Sequence, residues 1–220
     1  MDDVPDQQEP AEAIVGHLQR VLRRHGHVLV GVDETQALVD QLARTRPNLV
    51  REVVPKLLGP VLLSEVLQCL AKEGISLRYL EPILAALAKR APLQGDAAEL
   101  AEWARASLQR QMTAKLAAPD GTIAVFLLDP TIEETLRESV QKHEARHHLV
   151  LEPELAREVV ESVGRAVAGM QAPVLVTAAD IRRHLRGLIE NDLPEVAVLA
   201  FQELLPEVKL KTVGQISLGG

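Results

Sequence analysis

The turn Pro119-Asp120-Gly121 separates two kinds of sequence, and no single fold class accommodates both. Before it, apolar residues recur at helical spacing. After it comes Thr122–Leu128, TIAVFLL, whose short run of branched and aromatic side chains reads as a strand. Asp129-Pro130 then supplies an N-cap and a first-turn proline, and strands alternate with helical stretches to the end. The fold class expected is mixed: an all-helical subdomain followed by a small α/β subdomain of order β-α-α-β-α-β-β.

Residues 1–10 are polar and read as a disordered tail. Residues 11–31 carry one amphipathic helix, with Ile14, Leu18, Val21 and Leu22 on a stripe and Arg20, Arg23 and Arg24 mainly off it. Within 32–116, Asp33 and Gln36 have the spacing of a capping box. Pro47, Pro55 and Pro60 punctuate the next stretch. A strong helix over 62–73 stops at Gly74, LEPILAALAKRA forms another, and Asp96 caps a long helix to about Leu116 with Leu100 and Trp103 facing its core. Within 117–220, the helix after Asp129 runs on through TIEETLRESVQKHEA, and a further helix begins at Pro153. Thr177 and Asp180 form a second capping box, between strands at 174–176 and 196–201, and a β-like segment closes the chain over 208–218.

Hydrophobic residues make up 47% of the 220, so one or two real cores can be buried, yet aromatics are only 2%. The core must therefore be Leu, Val, Ala and Ile, and base-stacking platforms for single-stranded nucleic acid are not available. A net charge of −7 without a Lys/Arg run argues against a nucleic-acid partner. No apolar run approaches the roughly 18 residues of a membrane span, and MDDVPDQQEP has no signal-peptide character. Cys69 stands alone in an apolar helical pattern, which reads as a core thiol in a reducing compartment.

One segment does spell chemistry. His143-Glu144-Ala145-Arg146-His147 matches H-E-x-x-H, in which two histidines one helical turn apart hold Zn²⁺ and the glutamate activates the metal-bound water. Lys142, Arg146 and His148 crowd this segment, and cations oppose the binding of another cation. A cationic cluster at a helix C-terminus is the simpler reading. His25-Gly26-His27 is a weaker metal candidate still. No phosphate-binding glycine loop, nucleophile elbow or CxxC is present. The residues thus give no catalytic or metal set and no cofactor, with a zinc-dependent hydrolase using His143, Glu144 and His147 as the alternative.

Four collinear blocks carry a resemblance. They are HLQRVLRRHGHVLVGVDETQALVDQL, PNLVREVVPKLLGPVLLSEVLQCLAKEGISLRYLEPILAALA, VTAADIRRHLRGLIENDLPEVAVLAFQEL and VGQISL. Together they resemble the C-terminal cytoplasmic domain of the large export-gate protein of type III secretion systems, shared by flagella and injectisomes. The resemblance implies a parent protein with a membrane half in the bacterial inner membrane and four cytoplasmic subdomains that form a ring. Residues 11–31 would then end the first subdomain, 32–116 would be the third and 117–220 the fourth. It implies a homo-oligomer, the stalk protein of the export ATPase, and chaperone–substrate complexes or a gatekeeper as partners, with no membrane contact by this stretch itself. Relatives often place Asp or Asn where Tyr79 stands, so the cap of the following helix must be made otherwise. Candidate partner contacts are Arg78 and Tyr79 on the helical loop, and Arg182, Arg183 and Arg186, which the stripe of Ile181, Leu185 and Leu188 leaves outward.

Overall fold

The computed structural model describes residues 10–90, 95–143 and 146–219. Helices α1 (Pro10–His25), α2 (Val32–Ala43), α3 (Pro47–Val53), α4 (Pro60–Lys72), α5 (Leu80–Lys89), α6 (Ala97–Arg105) and α7 (Gln109–Leu116) precede strand β1 (Thr122–Leu128). Then follow α8 (Pro130–Glu138), β2 (Val140–His143), β3 (Arg146–Leu149), α9 (Pro153–Val167), β4 (Val174–Thr177), α10 (Ala179–Ile189), β5 (Ala197–Ala200) and β6 (Lys209–Ile216). The mixed helical and α/β class is as expected. The chain divides into two compact units after Leu80, at the start of α5 rather than at the Pro119-Asp120-Gly121 turn.

In the first unit, Leu63, Val66, Leu67 and Leu70 bury one side of α4, joined by Val39, Val53 and Leu58. The short 3-10 segment Gly26–Leu29 is fixed to α4 through one carbonyl: Val30 O accepts from Ser64 Oγ at 3.0 Å and from Gln68 Nε2 at 2.8 Å. Helix α2 begins earlier than its Asp33 suggests. Its N-cap is Gly31, whose N–H donates to Glu34 Oε2 at 3.0 Å. A Cβ at Gly31 would lie 2.7 Å from that oxygen, so the glycine admits the carboxylate that caps the helix.

In the second unit, the four-stranded sheet has the order β5-β4-β1-β6, and every neighbouring pair is parallel. Its core is Phe126, Leu136, Val163, Leu175, Leu185 and Ile189 with their neighbours, almost wholly aliphatic as the composition requires. The β1–β6 register slips between Val125 and Phe126, beside Gly214, where an added Cβ would stand 2.9 Å from the Phe126 ring.

Five local expectations are corrected. Helix α8 stops at Glu138 instead of running to Ala145, and β2 and β3 follow as an antiparallel hairpin. Ser139 turns the chain: its Oγ donates to Thr135 O, and its own carbonyl accepts from Val150 N at 2.8 Å to close the hairpin base. Thr177 is not the cap of α10. The N-cap is Ala178, and Glu133 of α8 takes the capping role, its Oε1 accepting from Thr177 Oγ1 at 2.7 Å and Ala178 N at 3.2 Å. The long helix from Asp96 is interrupted by a 3-10 turn at Ala106–Leu108, although Asp96 does cap it, its carboxylate accepting from Glu99 N at 2.9 Å. Leu100 is buried but Trp103 is 44% exposed, with the Arg90 guanidinium 4.3 Å above its ring. Cys69 is half-buried, less enclosed than its apolar pattern suggests.

Candidate functional site

Arg78 and Tyr79 lie on a 3-10 turn, Leu77–Tyr79, that leads into α5. Both are exposed, Tyr79 at 37%. Ser76 caps this 3-10 turn, its Oγ accepting from Arg78 N at 3.4 Å. The turn therefore presents one cation and one amphipathic ring to solvent from a defined backbone.

The arginines of α10 do something else. The apolar stripe of α10 packs on the sheet as expected, but Arg182 is 1% exposed and forks onto the Glu102 carboxylate of α6, with Nε to Oε2 at 2.6 Å. Its Nη1 donates to Val198 O at 3.1 Å. Arg183 is 17% exposed and faces Asp96 and Glu99, both at 3.7 Å. Arg186 donates to Val196 O at 2.8 Å and Pro194 O at 3.2 Å. A buried fork of this kind has no guanidinium left for a partner, so Arg182 is corrected from contact residue to structural fastener.

Sequence reasoning missed the counterpart on α6. Arg105 and Glu203 are 3% and 2% exposed and paired twice, Nε–Oε1 at 2.6 Å and Nη2–Oε2 at 3.1 Å. Arg105 Nη2 also reaches Val198 O, and Ala200 N donates to Glu203 Oε2 at 3.0 Å. The signal was an arginine on the apolar face of α6, four residues after Ala101 and one after Ala104, both buried.

These groups share a location. Ala197 N donates to Pro173 O, toward β4, so by alternation the polar groups of Val196, Val198 and Ala200 point away from the sheet along the outer edge of β5. Arg186, Arg182, Arg105 and Glu203 occupy that edge. The edge is sealed by charge rather than by another strand.

Two further surface features concern helices. The stripe of α1 stays uncovered: Ile14 is 69% exposed, and Leu18 and Leu22 are 53% and 49%. A second carboxylate cluster surrounds exposed Arg137, whose Nε donates to Asp180 Oδ2 and Nη1 to Glu134 Oε2, both at 2.6 Å. The guanidinium holds the Asp180 carboxyl below its usual range, and the two carboxylates raise the arginine.

The zinc spelling loses its geometry. His143 ends β2 and pairs with Arg146, while His147 lies in β3 opposite Lys142. Two strands replace the one helical face that H-E-x-x-H needs, and Glu144 lies outside the described residues. Among the described residues no group of three His, Cys, Asp or Glu has metal-binding spacing. His25 and His27 fall at the junction of α1 with its 3-10 turn.

With this geometry in place, the relationships are direct. Residues 6–209 match the FHIPEP family, and the chain belongs to it. It is 31% identical to the low calcium response locus protein D of Yersinia pestis over 94% of this chain and 30% of that protein. It is 29% identical to the flagellar biosynthesis protein FlhA of Bacillus subtilis over 96% of this chain and 32% of that one. The chain therefore spans less than a third of the length of these relatives. Among solved structures, it matches the Chlamydia pneumoniae CdsV and CdsO protein complex with a TM-score of 0.87 and 34% identity, over 96% of this chain and 63% of that one. It matches the nonameric EscV cytosolic domain from the type III secretion system with a TM-score of 0.82 and 29% identity, over 94% and 62%. Fold and family together define a cytoplasmic domain of the type III export-gate family, with flagellar and injectisome members.

Proposed function

We propose that this chain is the docking and ring-forming part of a type III protein export gate, and that it works by binding rather than by chemistry. The observation that carries the reading is the likeness to a nonameric cytosolic domain across nearly the whole chain. In this reading residues 11–31 end a first cytoplasmic subdomain, 32–116 form the third and 117–220 the fourth, beneath an inner-membrane half. No described helix is long and apolar enough to cross a membrane, so the membrane half would belong to other parts of the parent protein. Copies assemble side by side into a ring around the export path. The match to CdsV in complex with CdsO supports a partner protein, which we assign as the stalk of the export ATPase, with chaperone–substrate complexes or a gatekeeper as further clients. Arg78 and Tyr79, exposed on a capped turn, are the contact residues kept from the sequence. Arg183 and Arg186, partly engaged within the chain, are weaker candidates.

The test is a chimaera in which residues 11–219 replace the matching stretch of the Yersinia pestis relative. Secretion of the native substrates, lost again on Arg78→Ala with Tyr79→Ala, supports both the function and the contact turn. A stably expressed chimaera that assembles no ring and secretes nothing counts against the reading.

A further inference from the structure

The two edges of the sheet are treated in opposite ways. Along β5, side chains from α6, α10 and the turn after β5 fill the outward polar groups. Along β6, seven of the eight residues lie outside the core: Lys209 to Val213 are exposed in sequence, Gly214 is half-buried, and Gln215 is exposed before Ile216 turns in. Strand β6 pairs on one side only, with β1, and among the described residues no backbone partner meets its other side.

An open, extended row of N–H and C=O groups is a template for another strand. Its side chains say which strand. Lys209 and Lys211 sit two residues apart and so share one face, and KLKTVGQI contains no carboxylate. Leu210 and Val213 add apolar surface at 39% and 41% exposure. In a chain of net charge −7 this strand is a local cationic strip. Edge lysines discourage pairing with basic or uncharged apolar strands, and the same charge favours an acidic one. A second copy of β6 would bring four lysines into one ribbon with nothing to neutralise them.

We propose that the outer edge of β6 is a docking site for an extended partner segment in which acidic and apolar residues alternate, added to the sheet as a fifth strand. Main-chain hydrogen bonds would supply affinity, and the carboxylates would set register against Lys209 and Lys211.

The probe is a fluorescein-labelled peptide of alternating glutamate and valine, as long as β6, titrated into the ¹⁵N-labelled chain. Saturable binding is expected, with amide shifts confined to residues 209–215. N-methylation along the pairing edge of the peptide should abolish binding, whereas N-methylation of the opposite edge should not. The variant K209E/K211E, both exposed positions, should weaken binding about tenfold or more with an unchanged far-UV spectrum. It should also bind the lysine–valine peptide instead. Absence of saturable binding, shifts that map elsewhere, indifference to N-methylation, or β6 shifts that follow protein concentration alone would each overturn the proposal.

Discussion

Glu203 is 2% exposed, and its two carboxylate oxygens are held by Arg105 and by the Ala200 N–H. Removing one member of a buried pair strands the other charge in a low-dielectric interior, which costs about 3–5 kcal/mol. Glu203→Ala should lower urea stability by that order, followed by far-UV circular dichroism. Arg105→Met combined with Glu203→Leu should recover much of the loss, because two apolar side chains need no solvent. A pair whose double replacement is as damaging as the single change would show that its hydrogen bonds to Val198 and Ala200 matter more than the charge. The exposed Arg137–Asp180 pair gives a gentler, pH-dependent effect. Asp180 is depressed in the folded chain, mainly by its hydrogen bond from Arg137. Its contribution is thus present above the unfolded carboxylate value of about 3.9, and is lost as pH falls through the lower folded value. Melting temperature should fall more steeply below that point in the native chain than in Asp180→Asn.

At the level of elements, α1 and α4 look alike in sequence and behave differently. Both carry apolar stripes, but that of α1 is open while Leu67 of α4 is fully enclosed. Leu18→Gln should change stability by no more than about 0.5 kcal/mol, and Leu67→Ala should cost about 2–5 kcal/mol. Strand β6 is constrained at one point: Gly214→Ala would press a methyl group into the Phe126 ring, and a loss of about 1–3 kcal/mol is expected. Strand β1 was legible to the residue because TIAVFLL sits between a Gly turn and an Asp-Pro cap. The hairpin was not legible. QKHEARHH has no apolar period of either kind, so nothing in it interrupts the preceding helical rhythm, and the turn at Ser139 rests on hydrogen bonds to Thr135 and Val150 that spacing does not display. The capping box read at Thr177 and Asp180 failed for a related reason. Spacing identifies a capping acceptor within one segment, whereas the carboxylate of Glu133 caps α10 from a different helix. The arginines of α10 were read as outward, but a stripe says nothing of carboxylates on α6 or carbonyls on β5, which enclose Arg182 and come from 80 residues away for Glu102 and 16 for Val198.

For the molecule as a whole, the division into two compact units predicts two cooperative transitions. Leu67→Ala should shift one urea transition and Leu185→Ala the other, each leaving its counterpart in place. A single transition moved by both changes would mean that the units unfold together. The family and the mixed fold were readable from ordered blocks of sequence. The distribution of work between the sheet's edges was not, since it depends on which side chains the fold brings to β5 and which it withholds from β6.

Phe126 is the one aromatic ring in a buried core, while Tyr79, Trp103 and Phe201 are all more than a third exposed. Optical work on this chain inherits that distribution. Tryptophan emission will report the stacking of Arg90 on Trp103, quenched or shifted by local events around α5 and α6, and will be nearly blind to the aliphatic interior. A binding titration read from that emission would register only ligands that disturb this one corner, so a partner seated on α1 or β6 could saturate the protein and leave the spectrum unmoved.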